Sequence, residues 1–199
     1  MKYFYSTALP ALLVCSLLMP VTPAMAQQAS GNDACPALLQ HSFLRLQDEK
    51  PQSLCQYRGK VLLVVNTASY CGFTGQYKEL EALHARYQDK GLVVLGFPSN
   101  DFSQESGSNK EIAAFCENTF GVRFPMFAKS SVTGPQANAL YQQLARQTGQ
   151  APRWNFHKYL IARDGTVVDN YSSLTSPDSR SVVRAIEQQL ARPVPGSQP

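Results

Sequence analysis

The chain has 199 residues, of which 44% are hydrophobic and 16% charged, and its formal net charge is +4. This composition favours a globular core and excludes a disordered or low-complexity chain. No apolar run reaches the roughly 18 residues that a membrane-spanning helix needs, and the scattered positive charge, with no adjacent Lys or Arg residues, argues against nucleic-acid binding.

The first 26 residues have the three parts of a secretory signal peptide. Lys2 provides the positive start, residues 9–19 are mostly apolar, and Ala24-Met25-Ala26 is a small-x-small cleavage site. The alternative is a buried N-terminal helix, which the three prolines of this segment disfavour because they break helices: Pro10, Pro20 and Pro23. We therefore expect an exported protein, periplasmic or secreted, whose mature part is a single domain over residues 27–199.

Four cysteines remain after removal of the signal peptide: Cys35, Cys55, Cys71 and Cys116. An even number is typical of an oxidising compartment. Four cysteines allow three complete disulfide pairings, and their number and spacing alone do not choose between these pairings.

A strand, a helix and a second strand follow one another in the first half of the mature chain. Residues 61–65 form a valine-rich apolar run typical of a strand buried on both faces. Residues 92–97 form a second such run, closed by Pro98. Between them apolar and aromatic residues recur at helical spacing: Tyr77, Leu80, Leu83 and Tyr87. This βαβ unit predicts that the two strands are parallel.

The second half is predicted to hold three helices and a hairpin. A capping box over residues 108–111 starts a helix through about Cys116, and a second helix covers residues 137–146. Residues 156–161 and 166–168 pair as a hairpin whose Asp164-Gly165 turn is of type I′. The last helix starts at Ser176-Pro177-Asp178. This order predicts an α/β fold, a thioredoxin-like sandwich with a central mixed sheet and helices on both faces.

Cys71 follows the first buried strand, where ligands bind in open α/β sheets. A thiol near a helix N-terminus is favoured as the thiolate, the nucleophilic form. The alternative is a buried and inert cysteine. Because Thr74 stands where a Cys-x-x-Cys motif needs its second thiol, the sequence disfavours a thioredoxin-type disulfide exchanger.

Four blocks of sequence stand in register along the mature chain. They are Asn66-Thr67-Ala68-Ser69-Tyr70-Cys71-Gly72-Phe73-Thr74, Leu95-Gly96-Phe97-Pro98-Ser99-Asn100-Asp101-Phe102, Phe124-Pro125-Met126-Phe127-Ala128-Lys129 and Trp154-Asn155-Phe156-His157-Lys158-Tyr159-Leu160. Together they resemble the glutathione peroxidase family over residues 43–190. The resemblance implies a thioredoxin-like fold and the reduction of hydroperoxides by a thiol, here that of Cys71.

The family's active site is a tetrad of Cys or selenocysteine, Gln, Trp and Asn, which implies Cys71, Gln104, Trp154 and Asn155. Without the resemblance, Trp154 reads as a core aromatic, Gln104 as a solvated loop residue and Asn155 as a turn residue. The Gln104 loop departs from the family pattern, because it is about one residue shorter and carries Ser106 in place of a proline. Ser103 stands where glycine is common.

The remaining cysteines receive roles by the same comparison. Two-cysteine, thioredoxin-dependent members of the family have their resolving cysteine at the position of Cys116. Neither Cys35 nor Cys55 matches a catalytic position, and in an exported protein a structural Cys35–Cys55 disulfide is the simplest assignment.

Other kinds of site receive little support. The three histidines, His41, His84 and His157, have no metal-ligand spacing, and no phosphate-binding glycine loop is present. Asp101 and Glu105 are interpreted as solvated loop residues. We expect neither a metal nor another cofactor.

Three functional classes are open on the sequence. The first is a thiol peroxidase that acts on hydrogen peroxide and organic hydroperoxides and is recycled by a thioredoxin-like protein or glutathione. The second is a peroxide sensor or thiol–disulfide relay, and the third is a binding module without catalysis. The chain lacks the long insertion of tetrameric relatives between residues 129 and 154, which favours a monomer.

Overall fold

The computed structural model describes residues 1–4 and 34–195. The chain divides into two units, Met1–Ser30 and Gly31–Pro199, and the fold reported below is that of the second. The predicted signal peptide lies outside the described residues, apart from residues 1–4. In the described part of the chain, no helix has the length and apolar character required to cross a bilayer.

Six strands and four α-helices make up the described domain. The strands are β1 (Ser42–Leu44), β2 (Pro51–Ser53), β3 (Val61–Thr67), β4 (Leu92–Pro98), β5 (Lys158–Ile161) and β6 (Val167–Tyr171). The helices are α1 (Gln76–Tyr87), α2 (Asn109–Phe120), α3 (Ala139–Thr148) and α4 (Arg180–Leu190). Short 3₁₀ helices cover Ala37–Leu39, Leu54–Tyr57 and Gln88–Lys90.

The central sheet is mixed, with the strand order β4-β3-β5-β6. β3 and β4 are parallel, from the Val61–Leu92 pair to the Thr67–Pro98 pair, as the βαβ unit predicts. β5 pairs antiparallel with both β3 and β6. Strands β1 and β2 form a separate antiparallel hairpin. The predicted thioredoxin-like fold with a mixed sheet is confirmed.

The sheet separates two hydrophobic clusters because side chains of β3 alternate between its faces. Leu63 and Val65 contact the first cluster, which includes side chains of α1, α2 and α4. Leu62 and Val64 contact the second, which includes α3 and the first two 3₁₀ helices. Since both faces are covered, all seven residues of β3 are buried, which explains its continuous apolar sequence.

Helix α2 begins as predicted but continues further. Ser108 and Glu111 form the capping box. The helix extends beyond Cys116 to Phe120 and ends at Gly121, whose φ of 66° is the left-handed conformation that glycine adopts most readily. Helix α3 lies two residues later than predicted, because Asn138 is its N-cap and accepts from the Tyr141 N–H.

Two predictions in the last third of the chain are wrong: the type of the β5–β6 turn and the first residue of α4. The β5–β6 turn is not of type I′, since Asp164 is not among the described non-glycine residues with positive φ and only Gly165, at 86°, has that conformation. The Ala162 N–H donates to Thr166 O and closes a three-residue loop over residues 163–165. A glycine in the last position is typical of such loops. Helix α4 begins after Ser179 because the Ser176 hydroxyl donates to carboxylates and does not cap the helix.

A disulfide joins Cys35 and Cys55, whose Cα atoms lie 5.4 Å apart. It connects the 3₁₀ helices Ala37–Leu39 and Leu54–Tyr57, which pack on the α3 side of the sheet. The disulfide therefore attaches the N-terminal end of the domain to the face opposite α1.

We expect Gly96→Ala to destabilise the domain, because a Cβ at this position would overlap Met126 Sδ and lie 3.1 Å from the Phe124 ring. Overpacking a core in this way costs about 1–3 kcal/mol. Urea denaturation measures the loss, with Gly72→Ala as the control because a Cβ there meets no atom within 4 Å. Equal stability of the two variants would contradict the close approach at Gly96.

Candidate active site

The candidate site is built around the carboxyl end of β3. Cys71 lies in the loop between Thr67 and α1, five residues before the helix begins at Gln76. The thiol thus lies near a helix N-terminus, and successive turns, beginning with the bond from Thr74 N to Cys71 O at 3.0 Å, lead into the helix. The Thr74 hydroxyl closes this loop, since it accepts from Cys71 N and donates to Ala68 O, each at 3.0 Å.

The Cys71 side chain is largely buried but retains some solvent exposure. It is 8% exposed and forms no disulfide. The Phe73 N–H donates to its sulfur at 3.4 Å. A backbone donor directed at the sulfur stabilises negative charge there, which is the property that a nucleophilic thiolate requires.

Asn66, near the end of β3, holds the segment that carries Trp154 and Asn155. Its Nδ2 donates to Trp154 O at 3.1 Å, and its Oδ1 accepts from His157 N at 3.0 Å. This segment includes Phe156, whose φ of 63° is unusual for a residue with a side chain. A buried amide with two partners thus fixes a strained turn beside the site. Asn66 was present in the first sequence block, but no role was predicted for it.

The structure brings Gln104 and Asn155 together. Asn155 Nδ2 donates to Gln104 Oε1 at 2.9 Å. The Gln104 backbone oxygen accepts from Tyr70 N at 3.1 Å, next to Cys71 in the chain. Ser103 has a φ of 57°, so the position where glycine is common does take the left-handed conformation.

Two N–H groups remain available for a ligand. The Asn155 contact uses the Gln104 oxygen and leaves Gln104 Nε2 without a partner within the described ranges, and the same holds for Trp154 Nε1. Trp154 is 40% exposed, and its ring lies 5.4 Å from that of Phe102. Asn155 is fully buried, so its contact fixes the direction in which the Gln104 amide points.

Cys116 lies on the inner face of α2 and is 2% exposed. Burial raises the pKa of its thiol to about 11, with a further rise from the charge of Glu105 and an opposing effect of the Tyr77 hydroxyl. Cys116 forms no disulfide with Cys71. In this state Cys116 is a protonated thiol and a poor nucleophile.

The interpretation of Glu105 as a solvated loop residue is wrong, whereas Asp101 is exposed as predicted. Glu105 is fully buried, and its Oε2 accepts from the Ser69 hydroxyl at 2.9 Å. Burial raises the pKa of its carboxyl group, against the opposing effects of Ser69 and Lys129. Nothing in the periodicity of a short loop distinguishes Glu105 from its half-exposed neighbour Gln104.

The three histidines have separate surroundings: His41 contacts Gln143, His84 contacts Val94 N, and His157 lines a cavity with Trp154. His157 is 6% exposed, and burial lowers its pKa to about 4, so its ring is neutral at neutral pH. In residues 1–4 and 34–195, no group of three or more His, Cys, Asp or Glu side chains is arranged to hold a metal ion.

Asn66→Ala is expected to destabilise the fold and to slow any reaction that uses Trp154 or Asn155. The change leaves Trp154 O and His157 N without partners, at a cost of about 1–3 kcal/mol for each buried group. Chemical denaturation measures the stability, with Asn118→Ala on the exposed face of α2 as the control. An unfolding free energy equal to that of the control would show that the amide does not hold this turn.

Comparisons with known proteins agree with the resemblance of the sequence blocks. The family model for "Glutathione peroxidase" matches residues 40–145. The chain is 48% identical over 136 residues to the "Glutathione peroxidase-like peroxiredoxin gpx1" of Schizosaccharomyces pombe, spanning 66% of this chain and 86% of that protein. It is 48% identical over 142 residues to the "Hydroperoxy fatty acid reductase gpx1" of Synechocystis sp., spanning 66% of this chain and 84% of that protein.

A solved structure agrees with both the sequence and the fold. The "Crystal structure of Trgpx in apo form" matches with a TM-score of 0.63 and 33% identity. The match covers 79% of this chain and 98% of that one.

Proposed function

Because the chain belongs to the glutathione peroxidase family and is an enzyme that reduces peroxides with a thiol, we propose that Cys71 supplies this thiol. The observation that carries the proposal is the contact of the Phe73 N–H with the Cys71 sulfur in a loop bonded to Gln104. The sensor or relay function is not favoured, because the relatives compared are named as peroxidases and reductases.

The first step is the attack of the Cys71 thiolate on one peroxide oxygen. A sulfur–oxygen bond forms, the oxygen–oxygen bond breaks, and the products are a sulfenic acid and an alcohol or water. The departing oxygen develops negative charge and takes up a proton. N–H donors stabilise such charge, and Gln104 Nε2 and Trp154 Nε1 are the groups that we assign to this task. Asn155 orients the Gln104 amide.

In the second step, Cys116 resolves the sulfenic acid. Its thiol loses a proton, its sulfur bonds to Cys71 Sγ, and the hydroxyl group leaves as water. Because Cys116 is 2% exposed and lies inside a helix capped at both ends, α2 must open locally before the two sulfurs meet. Formation of the bond requires the two Cα atoms to lie within about 7 Å.

The cellular setting follows from features that lie partly outside the described residues. We propose that residues 1–26 direct export to the periplasm or the exterior, where the Cys35–Cys55 disulfide is stable. The enzyme acts there as a monomer. A thioredoxin-like protein dithiol reduces the Cys71–Cys116 disulfide more effectively than glutathione, because one dithiol partner completes the exchange in a single encounter. Hydrogen peroxide and organic hydroperoxides are the substrates, and the exposed Trp154 ring offers an apolar surface to the latter.

Turnover with two reductants tests this proposal. We expect a thioredoxin system to sustain peroxide consumption and glutathione to sustain it at a much lower rate. The measurement is NADPH oxidation with thioredoxin and its reductase or with glutathione and its reductase, at equal peroxide and enzyme concentrations. Faster turnover with glutathione would contradict the proposed reductant, and no consumption with either would contradict the assignment of a peroxidase site.

A further inference from the structure

A group of buried polar side chains lies beneath the Cys71 loop. Its members are Thr67, Ser69, Tyr77 and Glu105, which we call the Glu105 cluster. Only one of the two carboxylate oxygens of Glu105 has a hydrogen-bond partner, the Ser69 hydroxyl. Glu105 Oε1 is buried without a hydrogen-bond partner in the part of the chain that the structure describes. Such groups are costly in a folded protein and call for a functional explanation.

The cluster joins two loops of the candidate site. Ser69 belongs to the loop of Cys71, and Glu105 follows Gln104 directly. Side chains join the loops through Ser69 Oγ and Glu105 Oε2 at 2.9 Å, and the backbones join through Tyr70 N and Gln104 O at 3.1 Å. The two contacts are adjacent along both loops. Ser69 lies two residues before Cys71, and Tyr70 lies one residue before it. We call the Ser69–Glu105 contact the latch.

The surroundings hold the backbone of Glu105 by hydrogen bonds, whereas the charge of its carboxylate is opposed only at longer range by Lys129. Its N–H donates to Asn100 Oδ1 at 2.9 Å. The Lys129 ammonium donates to the backbone oxygens of Glu105 and Gly107 rather than to the carboxylate. No salt bridge to Glu105 is present within residues 34–195. A buried carboxylate whose donors are neutral groups of Ser69 stabilises the fold less than an apolar side chain of similar size would.

We propose that Glu105 is a positioning residue of the peroxidase, whose carboxylate holds the Cys71 loop against the Gln104 loop through the latch. This inference rests on the proposed role of Cys71. Without the latch, backbone contacts such as the Tyr70–Gln104 bond remain, and they hold the distance between the thiol and the Gln104 amide less closely. A misplacement of about 1 Å lowers the rate of an oriented reaction by about 100-fold.

Three variants test the latch: Ser69→Ala, Glu105→Ala and Glu105→Gln. The second-order rate constant of Cys71 oxidation by hydrogen peroxide is followed through the fluorescence of Trp154, the single tryptophan of the chain. We expect the rate constant to fall by about tenfold to 100-fold in Ser69→Ala and in Glu105→Ala. In Glu105→Gln the amide oxygen still accepts from Ser69, and the rate constant is expected to stay within threefold of wild type.

The double variant Ser69→Ala/Glu105→Ala separates the latch from two independent effects. Because both side chains form one contact, the double variant is expected to be no slower than Glu105→Ala alone. Glu117→Gln, which removes an exposed charge from α2, is the control and should react at the wild-type rate. Should Glu105→Ala fail to fold, Ser69→Ala, which deletes one hydroxyl group, carries the test.

Three results would overturn the proposal: a wild-type rate constant in Ser69→Ala, additive losses in the double variant, or a Glu105→Gln variant as slow as Glu105→Ala. Each of these requires that the wild-type protein reacts with peroxide through Cys71. A wild-type protein that does not react contradicts the proposed function itself, so the two failures are distinguishable.

Discussion

Cys71→Ser is expected to abolish peroxide reduction. The thiolate is the attacking group, and a serine hydroxyl is far less acidic than a thiol and a much weaker nucleophile at neutral pH. The replacement keeps an acceptor for the Phe73 N–H and changes the core volume little. We therefore expect the unfolding midpoint to stay close to that of the wild type while activity is lost completely.

Two measurements establish this result. Stopped-flow mixing with hydrogen peroxide follows the fluorescence change, and mass spectrometry after dimedone labelling locates the sulfenic acid. Cys116→Ser, in which the sulfenic acid persists, should carry the label on Cys71, and Cys71→Ser should carry none. Peroxide consumption by Cys71→Ser at the wild-type rate would move the reacting sulfur elsewhere and would remove the basis for the tetrad.

Cys116→Ser is expected to have the second largest effect, and the effect is confined to recycling. The variant should consume one equivalent of peroxide at the wild-type rate, because Cys116 takes no part in the first step. Turnover driven by thioredoxin should then stop almost completely, since no intramolecular disulfide is available to the reductant. Multiple turnovers at the wild-type rate would show that another group resolves the sulfenic acid.

The burial of Cys116 gives this prediction a conformational readout. Amide exchange of residues 110–118 is expected to accelerate after peroxide treatment of the wild type, because α2 must open to release a side chain that is 2% exposed. Cys116→Ser should keep slow exchange under the same treatment. Equally slow exchange in the oxidised wild type would contradict the opening of the helix.

The raised pKa of Cys116 leads to a further prediction for the reduced wild-type protein. Below its pKa of about 11 the buried thiol remains protonated, so alkylation by iodoacetamide in the folded, reduced protein is expected to be slow at neutral pH. Its rate should rise as the pH approaches that value. Alkylation of Cys116 as fast as that of a free cysteine at neutral pH would show that α2 is open before oxidation.

The parts of the fold that local sequence specifies were predicted well. The two valine-rich runs and the helix between them led to β3, α1 and β4 with the correct parallel pairing. The capping box at Ser108 was also correct, because its two reciprocal hydrogen bonds lie within four residues. Such features depend on neighbours in the chain, and periodicity or spacing reveals them.

The errors concern residues whose surroundings come from elsewhere in the chain. Ser176 was predicted to cap α4, but its hydroxyl donates to Glu79 on α1, 97 residues away. Glu105 was assigned to solvent because it lies in a short polar loop, whereas Ser69 provides its partner from the opposite loop. No local pattern indicates which of two loop acids will be enclosed by a distant segment.

In the candidate active site, family resemblance identified residues that local patterns could not, but it did not identify the residue that supports them. Gln104 and Asn155 were chosen by resemblance to a family, and the structure places their amides 2.9 Å apart. Asn66, which supports Asn155 through the backbone of its neighbours, was overlooked because an asparagine in a buried strand carries no distinctive spacing. The supporting hydrogen bonds of Asn66 can be recognised only in the folded structure, where the 154–157 turn packs on β3.

The sheet separates the four cysteines of residues 34–195 into two pairs. Cys35 contacts the cluster on the α3 side, whereas Cys71 and Cys116 belong to the cluster on the other side. A bond between a cysteine of one pair and a cysteine of the other would have to cross the sheet, so the Cys35–Cys55 disulfide cannot exchange with Cys71 or Cys116 in the folded domain. Under the proposed mechanism, repeated oxidation and reduction of Cys71 and Cys116 would therefore leave the Cys35–Cys55 disulfide unchanged.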